Sequence, residues 1–155
     1  MSVDLNVKAP DLELTSNKGD QVRLSKAWAK GPVVLAFFPL AFTGVCTEEM
    51  CEFRDGLAAF SDLKAQVFAV SVDSRFALNA FAEKNSLDFP LLSDFNKSAS
   101  KAFGVLNENF LGMEGVSKRA AFVIDTQGVI RYRWVSEDAK IKPNQEEIRQ
   151  ALEQL

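Results

Sequence analysis

Histidine is absent from this chain of 155 residues, and that absence excludes more chemistry than any residue present. Without an imidazole there is no Ser-His-Asp or Cys-His nucleophile, no histidine-ligated haem and none of the common histidine-containing zinc sites. Cysteine is scarce, and the two thiols, Cys46 and Cys51, cannot close a four-ligand zinc site. The longest apolar run, residues 32–42, is too short for a membrane span, and the first six residues lack the basic and apolar regions of a secretory signal. Lysine and arginine are dispersed in a chain of net charge −3, so no basic stripe marks a nucleic-acid surface. Neither membrane nor nucleic acid is expected as a partner. The expected setting is the reducing cytoplasm, where two cysteines point to catalysis, redox chemistry or core packing rather than a structural staple.

What is present is a 47% hydrophobic chain with no shift of composition, read as one domain over residues 1–155. Residues 12–24 alternate around a Ser16-Asn-Lys-Gly19-Asp turn and predict an N-terminal β-hairpin, followed by a short helix that Ser25 would cap. Residues 32–38 are an unbroken apolar run, as in a strand covered on both faces, and the mostly apolar residues 66–72 read as a second buried strand. Between them Met50, Phe53, Leu57 and Phe60 recur at helical spacing and predict one helix over residues 46–63. Ser74 is placed to cap a second helix, residues 89–94 are extended, 99–103 form a short helix, and 104–118 read as a loop. A second hairpin spans residues 120–135, and Asn144 caps a closing helix. The order hairpin, β-α-β-α, hairpin, helix predicts an α/β protein with a thioredoxin-like fold, a central mixed sheet flanked by helices. A flavodoxin-like parallel sheet fits the two hairpins less well.

Both cysteines follow the first buried strand, in Pro39-Leu-Ala-Phe-Thr43-Gly-Val-Cys46-Thr-Glu-Glu49-Met-Cys51. With Thr43 at the N-cap, Cys46 falls at the third helical position, among backbone N–H donors that the helix cannot satisfy. Such donors suit an anionic sulfur or a developing oxyanion. Glu48 and Glu49 complement the helix dipole but oppose a thiolate, so activation needs a permanent cation. Arg54, Lys118 and Arg119 are the candidates, with Arg119 preferred because it precedes a buried strand and would stand at a sheet edge beside the turn. Each residue also has a plainer reading: Cys46 as a small core residue, Thr43 as an ordinary cap, Arg119 as a surface charge.

Pro39-x-x-x-Thr43-x-x-Cys46 matches the active-site pattern of the peroxiredoxins, and Lys118-Arg119-Ala-Ala-Phe-Val-Ile-Asp125 resembles the segment carrying that family's arginine. Ala9-Pro10-Asp11, Phe53-Arg54-Asp55, Val70-Ser-Val-Asp73, Phe89-Pro-Leu-Leu-Ser-Asp94 and Gly128-Val-Ile-Arg131 extend the similarity over nearly the whole chain. The resemblance implies a cysteine peroxidase that needs no metal or organic cofactor. It implies Cys46 as peroxidatic residue, Thr43 and Arg119 as peroxide-binding donors, Pro39 as a shield, and Glu49 as the carboxylate that holds Arg119. Hydrogen peroxide or an alkyl hydroperoxide would be the substrate, a thioredoxin-like or other thiol the reductant, and the protein a monomer or homodimer.

The Cys-x4-Cys spacing resembles the bacterioferritin-comigratory branch, where the second cysteine resolves the sulfenic acid in some members, whereas the flanking residues 37–44 resemble the alkyl hydroperoxidase E-like branch. Five residues of ideal helix leave two Cα atoms on the order of 8.6 Å apart. A disulfide needs under about 7 Å. Resolution by Cys51 therefore requires the first turn to unwind, and an unreactive bystander thiol is the other reading of that residue. Two further functions compete: a thiol-disulfide oxidoreductase, which normally uses Cys-x-x-Cys, and a non-catalytic binding module presenting Phe42, Phe110 and Trp134.

Overall fold

Every side chain of strand β3 (Val33–Phe37) is buried, as an unbroken apolar run requires when both faces of a sheet are covered. The computed structural model describes residues 3–155. The first two residues, part of the segment read above as lacking a secretory signal, lie outside the described residues. Around β3 the chain runs β1 (Glu13–Ser16), β2 (Gln21–Arg23), α1 (Leu24–Trp28), then after β3 α2 (Gly44–Asp55), α3 (Leu57–Asp62), β4 (Gln66–Ser71), α4 (Arg75–Asn85) and β5 (Leu91–Ser93). It continues through α5 (Ser98–Ala102), β6 (Leu106–Asn107), β7 (Val116–Ser117), β8 (Arg119–Ile124), β9 (Ile130–Ser136) and α6 (Gln145–Glu153).

Seven strands form one sheet in the order β2-β1-β5-β4-β3-β8-β9. The β-α-β-α segment supplies its two parallel pairs, β3 with β4 and β4 with β5, and both hairpins pair antiparallel. The sheet is therefore mixed and mostly antiparallel, as in the expected thioredoxin-like architecture. Strand alternation sorts its side chains into two cores. Val34, Ala36, Phe38, Ala121 and Val123 pack with Cys46, Met50 and Phe53 of α2 and with α3, α4 and α6. Val33, Leu35, Phe37, Ala120, Phe122 and Ile124 pack on the opposite face with Leu24, Trp28 and Phe103. The closing turn of the second hairpin needs its glycine: Gly128 has φ +80°, and a Cβ there would lie 2.7 Å from the Trp28 ring.

Four expectations change in detail. The single helix over 46–63 is two, broken at Gly56, whose poor helix propensity lets the axis turn after Asp55 while Phe53 and Phe60 keep their rings 5.9 Å apart. Ser25 does not cap α1; the helix begins after Arg23, and Asp11 Oδ1 accepts from the Ser25 N–H at 3.0 Å instead. The 104–118 segment contains the two-stranded β6–β7 ribbon. Arg119 starts an interior strand between β3 and β9, so it stands at the end of a strand but not at a sheet edge. Ser74 and Asn144 do cap α4 and α6, accepting from the backbone N–H groups of Ala77 and of Glu146 and Glu147.

Candidate active site

Period-two alternation decides where the cation goes. In β8, Arg119 shares its face with Ala121 and Val123, the face that packs on α2. The pairing of Phe37 with Ala120 sets Arg119 beside the end of β3, where the chain turns into α2. In α2 the buried residues Cys46, Glu49, Met50 and Phe53 follow the i, i+3, i+4, i+7 pattern of one helical face. A carboxylate therefore lies in the stripe that meets the sheet, one turn from the thiol, and the arginine arrives between them.

Arg119 Nη2 donates to Cys46 Sγ at 3.1 Å and Nη1 to Glu49 Oε1 at 2.6 Å. The remaining edge of the guanidinium is fixed by the Ala139 carbonyl, which accepts from Nε at 3.0 Å and from Nη2 at 2.8 Å. Of five N–H groups, these bonds use four and leave one on Nη1. All three side chains are buried: Cys46 is 1% exposed, Arg119 2% and Glu49 0%. Burial pushes the Glu49 carboxyl up to about 7 against the pull of Arg119, and its Oε2 has no hydrogen-bond partner. For Arg119 burial favours the neutral form, but Glu49 and Cys46 outweigh it and the guanidinium stays charged, with its pKa raised. A buried cation held between a carboxylate and a sulfur, with one donor to spare, can stabilise a sulfur anion and bind a second polar group.

The other two candidate cations are engaged elsewhere. Arg54 donates to Asp55 and to the Asn85 carbonyl, and Lys118 Nζ to Glu137. Thr43 occupies the N-cap of α2 as expected, with extended backbone, yet its side chain caps no helical N–H. Its hydroxyl donates to the Leu40 carbonyl at 2.8 Å. The proton is thus committed, and Thr43 offers lone pairs rather than the donor that its type suggested. Pro39 is buried at the start of the turn, and Phe42, just before Thr43, is half-exposed with φ +67°. That left-handed residue is held by packing: its ring lies 5.2 Å from Phe81 of α4.

Residues outside the motif hold the turn in place. Asp73 Oδ2 accepts from the Ala41 N–H at 2.8 Å and from Ser71 Oγ at 2.7 Å, and its carbonyl accepts from Ser93 Oγ. The Phe38 carbonyl accepts from Ser117 Oγ at 2.8 Å. An aspartate two residues past the end of a buried strand is a readable sign of such an anchor. The Ala139 carbonyl has no counterpart in sequence, because any residue carries one.

Cys51 lies on another side of α2, half-buried, with Sγ 3.9 Å from Asn85 Oδ1 at the end of α4. Arg54 is within electrostatic reach of it. Both cysteines are free thiols, and α2 is continuous from Gly44 through Asp55, so ideal helix geometry keeps their Cα atoms on the order of 8.6 Å apart. Among the described residues no group of histidine, cysteine, aspartate and glutamate could hold a metal ion, and no helix is long and apolar enough to cross a membrane.

Known proteins resemble this chain in sequence and in fold. The model of the AhpC/TSA family matches residues 5–133. Peroxiredoxin Bcp of Bacillus subtilis (strain 168) is 37% identical over an alignment of 158 residues, covering 100% of this chain and 98% of that protein. Alkyl hydroperoxide reductase E of Mycobacterium tuberculosis (strain ATCC 25618 / H37Rv) is 33% identical over 142 residues, 90% of each chain. In structure, peroxidoxin BcpB from Mycobacterium tuberculosis superposes with a TM-score of 0.89 at 34% identity, covering 100% of this chain and 98% of that one.

Proposed function

The chain belongs to the AhpC/TSA family, a peroxiredoxin acting as a thiol peroxidase, and from that premise we propose that Cys46 is its peroxidatic residue. The single observation that carries the assignment is the 3.1 Å bond from the buried Arg119 guanidinium to Cys46 Sγ. The Cys46 thiolate attacks the terminal oxygen of a hydroperoxide ROOH. The S–O bond forms as the O–O bond breaks, sulfur is oxidised to the sulfenic acid, and RO⁻ leaves with the bonding pair and takes a proton from solvent. Thr43, its own proton spent on Leu40, accepts from the peroxide O–H, and the remaining Arg119 Nη1–H donates to the oxygen on which charge develops. Glu49 holds the guanidinium, and Pro39 keeps water from the sulfur. No proton need pass through a histidine.

Cys51 is the resolving residue in this scheme. After the first turns of α2 unwind, its thiolate attacks the Cys46 sulfur and expels hydroxide, leaving a disulfide that a thioredoxin-like or other dithiol reduces by exchange. Unwinding near a helix end is the inexpensive place for such a step. Hydrogen peroxide and alkyl hydroperoxides both suit a site that contacts only the O–O unit. Mass spectrometry after one equivalent of peroxide tests the scheme: a Cys46–Cys51 disulfide is expected, and sulfenic acid persisting on Cys46 beside a free Cys51 rejects the resolving role. Cys46→Ser is expected to consume no peroxide; retained consumption would reject the site itself.

A further inference from the structure

We propose that residues 137–143 are a strap whose Ala139 carbonyl aims Arg119 at Cys46, and that Lys142 is the positioning residue fixing this strap to α2. The inference rests on the role given to Arg119 above. Two of the four hydrogen bonds that orient the guanidinium end on the Ala139 carbonyl. Glu49 alone, bonded through Nη1, leaves the plane free to rotate about that contact. The carbonyl fixes the Nε–Nη2 edge and thereby turns the outer Nη2–H toward Sγ.

Little apolar burial holds the strap. Glu137, Asp138, Lys140 and Ile141 are exposed, and Ile141 shows 52% of its surface. Its attachments are polar. Lys118 Nζ meets Glu137 at 2.8 Å where the strap leaves β9. Ser136 and Asp138 close a local turn: Ser136 Oγ donates to the Asp138 carbonyl, and Asp138 Oδ1 accepts from the Lys140 N–H. Beyond Ala139, Lys142 Nζ binds Glu52 Oε1 at 2.8 Å and Glu48 Oε2 at 3.5 Å before the buried Pro143 leads into α6. Glu48 and Glu52 are four apart on α2, a like-charge pair whose repulsion Lys142 offsets. The same helix that carries Cys46 and Glu49 thus holds the strap that aims their shared cation. Glu52 adjoins Cys51, so unwinding of α2 would release Lys142 and the aim of Arg119 together.

The test is stopped-flow oxidation of Cys46 by hydrogen peroxide, read beside the ultraviolet thiolate absorbance at fixed pH and the melting temperature. Two partly exposed ion pairs support a loss of rate of roughly 2- to 10-fold in Lys142→Met. A matching fall in thiolate absorbance is expected, with restoration of both in Lys142→Arg. Lys142→Met combined with Glu48→Gln restores the local net charge without the tether and is expected to stay slow. Recovery in that double variant, or a Lys142→Met protein with the rate and absorbance of the wild type, overturns the strap. Arg119→Met separates the two levels. If it leaves Cys46 oxidation unchanged, the role of Arg119 fails; if it slows oxidation while Lys142→Met does not, only the strap fails.

Discussion

Replacing Arg119 by Met would separate what this side chain does for stability from what it does for the sulfur. Methionine fills much of the same volume but removes four hydrogen bonds and leaves Glu49, fully buried, with neither of its carboxylate oxygens partnered. Breaking a buried pair from one side costs about 3–5 kcal/mol, a large share of the roughly 5–15 kcal/mol that holds a domain together. For a chain of this size that lowers the melting temperature by on the order of 10 °C. Glu49 already titrates near 7 because burial opposes its charge, and loss of the cation drives it higher still. The native carboxyl then holds its proton more tightly than the unfolded one, so the variant loses stability as pH rises from about 5 through neutrality. Adding Glu49→Gln removes the stranded charge and is expected to recover about 1–3 kcal/mol. Peroxide reactivity should not follow. Losing a donor aimed at developing charge costs about 10²–10³-fold in rate, and no neutral pair of side chains restores it. Calorimetry across pH and stopped-flow oxidation of both variants provide the readouts. A double variant that regains the peroxide rate along with its stability would refute the argument, as would a single variant as stable as the wild type.

Three further outcomes are expected. In the wild type, Glu49 contributes a pH dependence of up to about 3 kcal/mol: its folded titration near 7 lies above the ordinary 4.5, so stability is highest below about 4.5 and declines as pH rises through 7. Urea titrations of the wild type and Glu49→Gln at several pH values isolate that slope, which the variant should lack. Asp73→Ala removes the acceptor for the Ala41 N–H and Ser71 Oγ and is expected to cost about 1–3 kcal/mol and slow oxidation severalfold, by urea midpoint and stopped flow. Cys51→Ser should leave the first oxidation step near the wild-type rate but carry Cys46 on to sulfinic acid under excess peroxide, visible as added oxygen by mass spectrometry.

Strand patterning made the fold legible. The runs at 32–38 and 66–72 are too apolar for any place but the middle of a covered sheet, and they pair there in parallel. The caps at Ser74 and Asn144 follow from local side-chain chemistry that depends on nothing distant. The break at Gly56 was harder to read because the stripe of Met50, Phe53, Leu57 and Phe60 keeps helical spacing across it. Leu57 and Phe60 still reach the same core after the axis turns.

At the site, Cys46 at the third position of a helix and Thr43 at its cap could be read directly, since both depend on a few consecutive residues. The preference for Arg119 as the cation rests instead on its place before a buried strand. Arg54, Lys118 and Arg119 are equally charged, and only the register of β8 on β3 turns Arg119 toward α2 and Lys118 to Glu137. The direction of the Thr43 hydroxyl, the burial of Glu49 and the carbonyl of Ala139 likewise belong to the tertiary structure. A hydroxyl chooses its acceptor only once the turn is closed, and a carboxylate loses its water only when a sheet covers the helix. A main-chain carbonyl has no chemical identity until the chain brings it to a guanidinium. The sequence by itself determined which chemistry was possible, by omitting histidine and placing a cysteine at a helix start. The packing of α2, β8 and the 137–143 strap decided which groups surround that sulfur, because Arg119 reaches Cys46 from 73 positions away and Lys142 reaches Glu52 from 90.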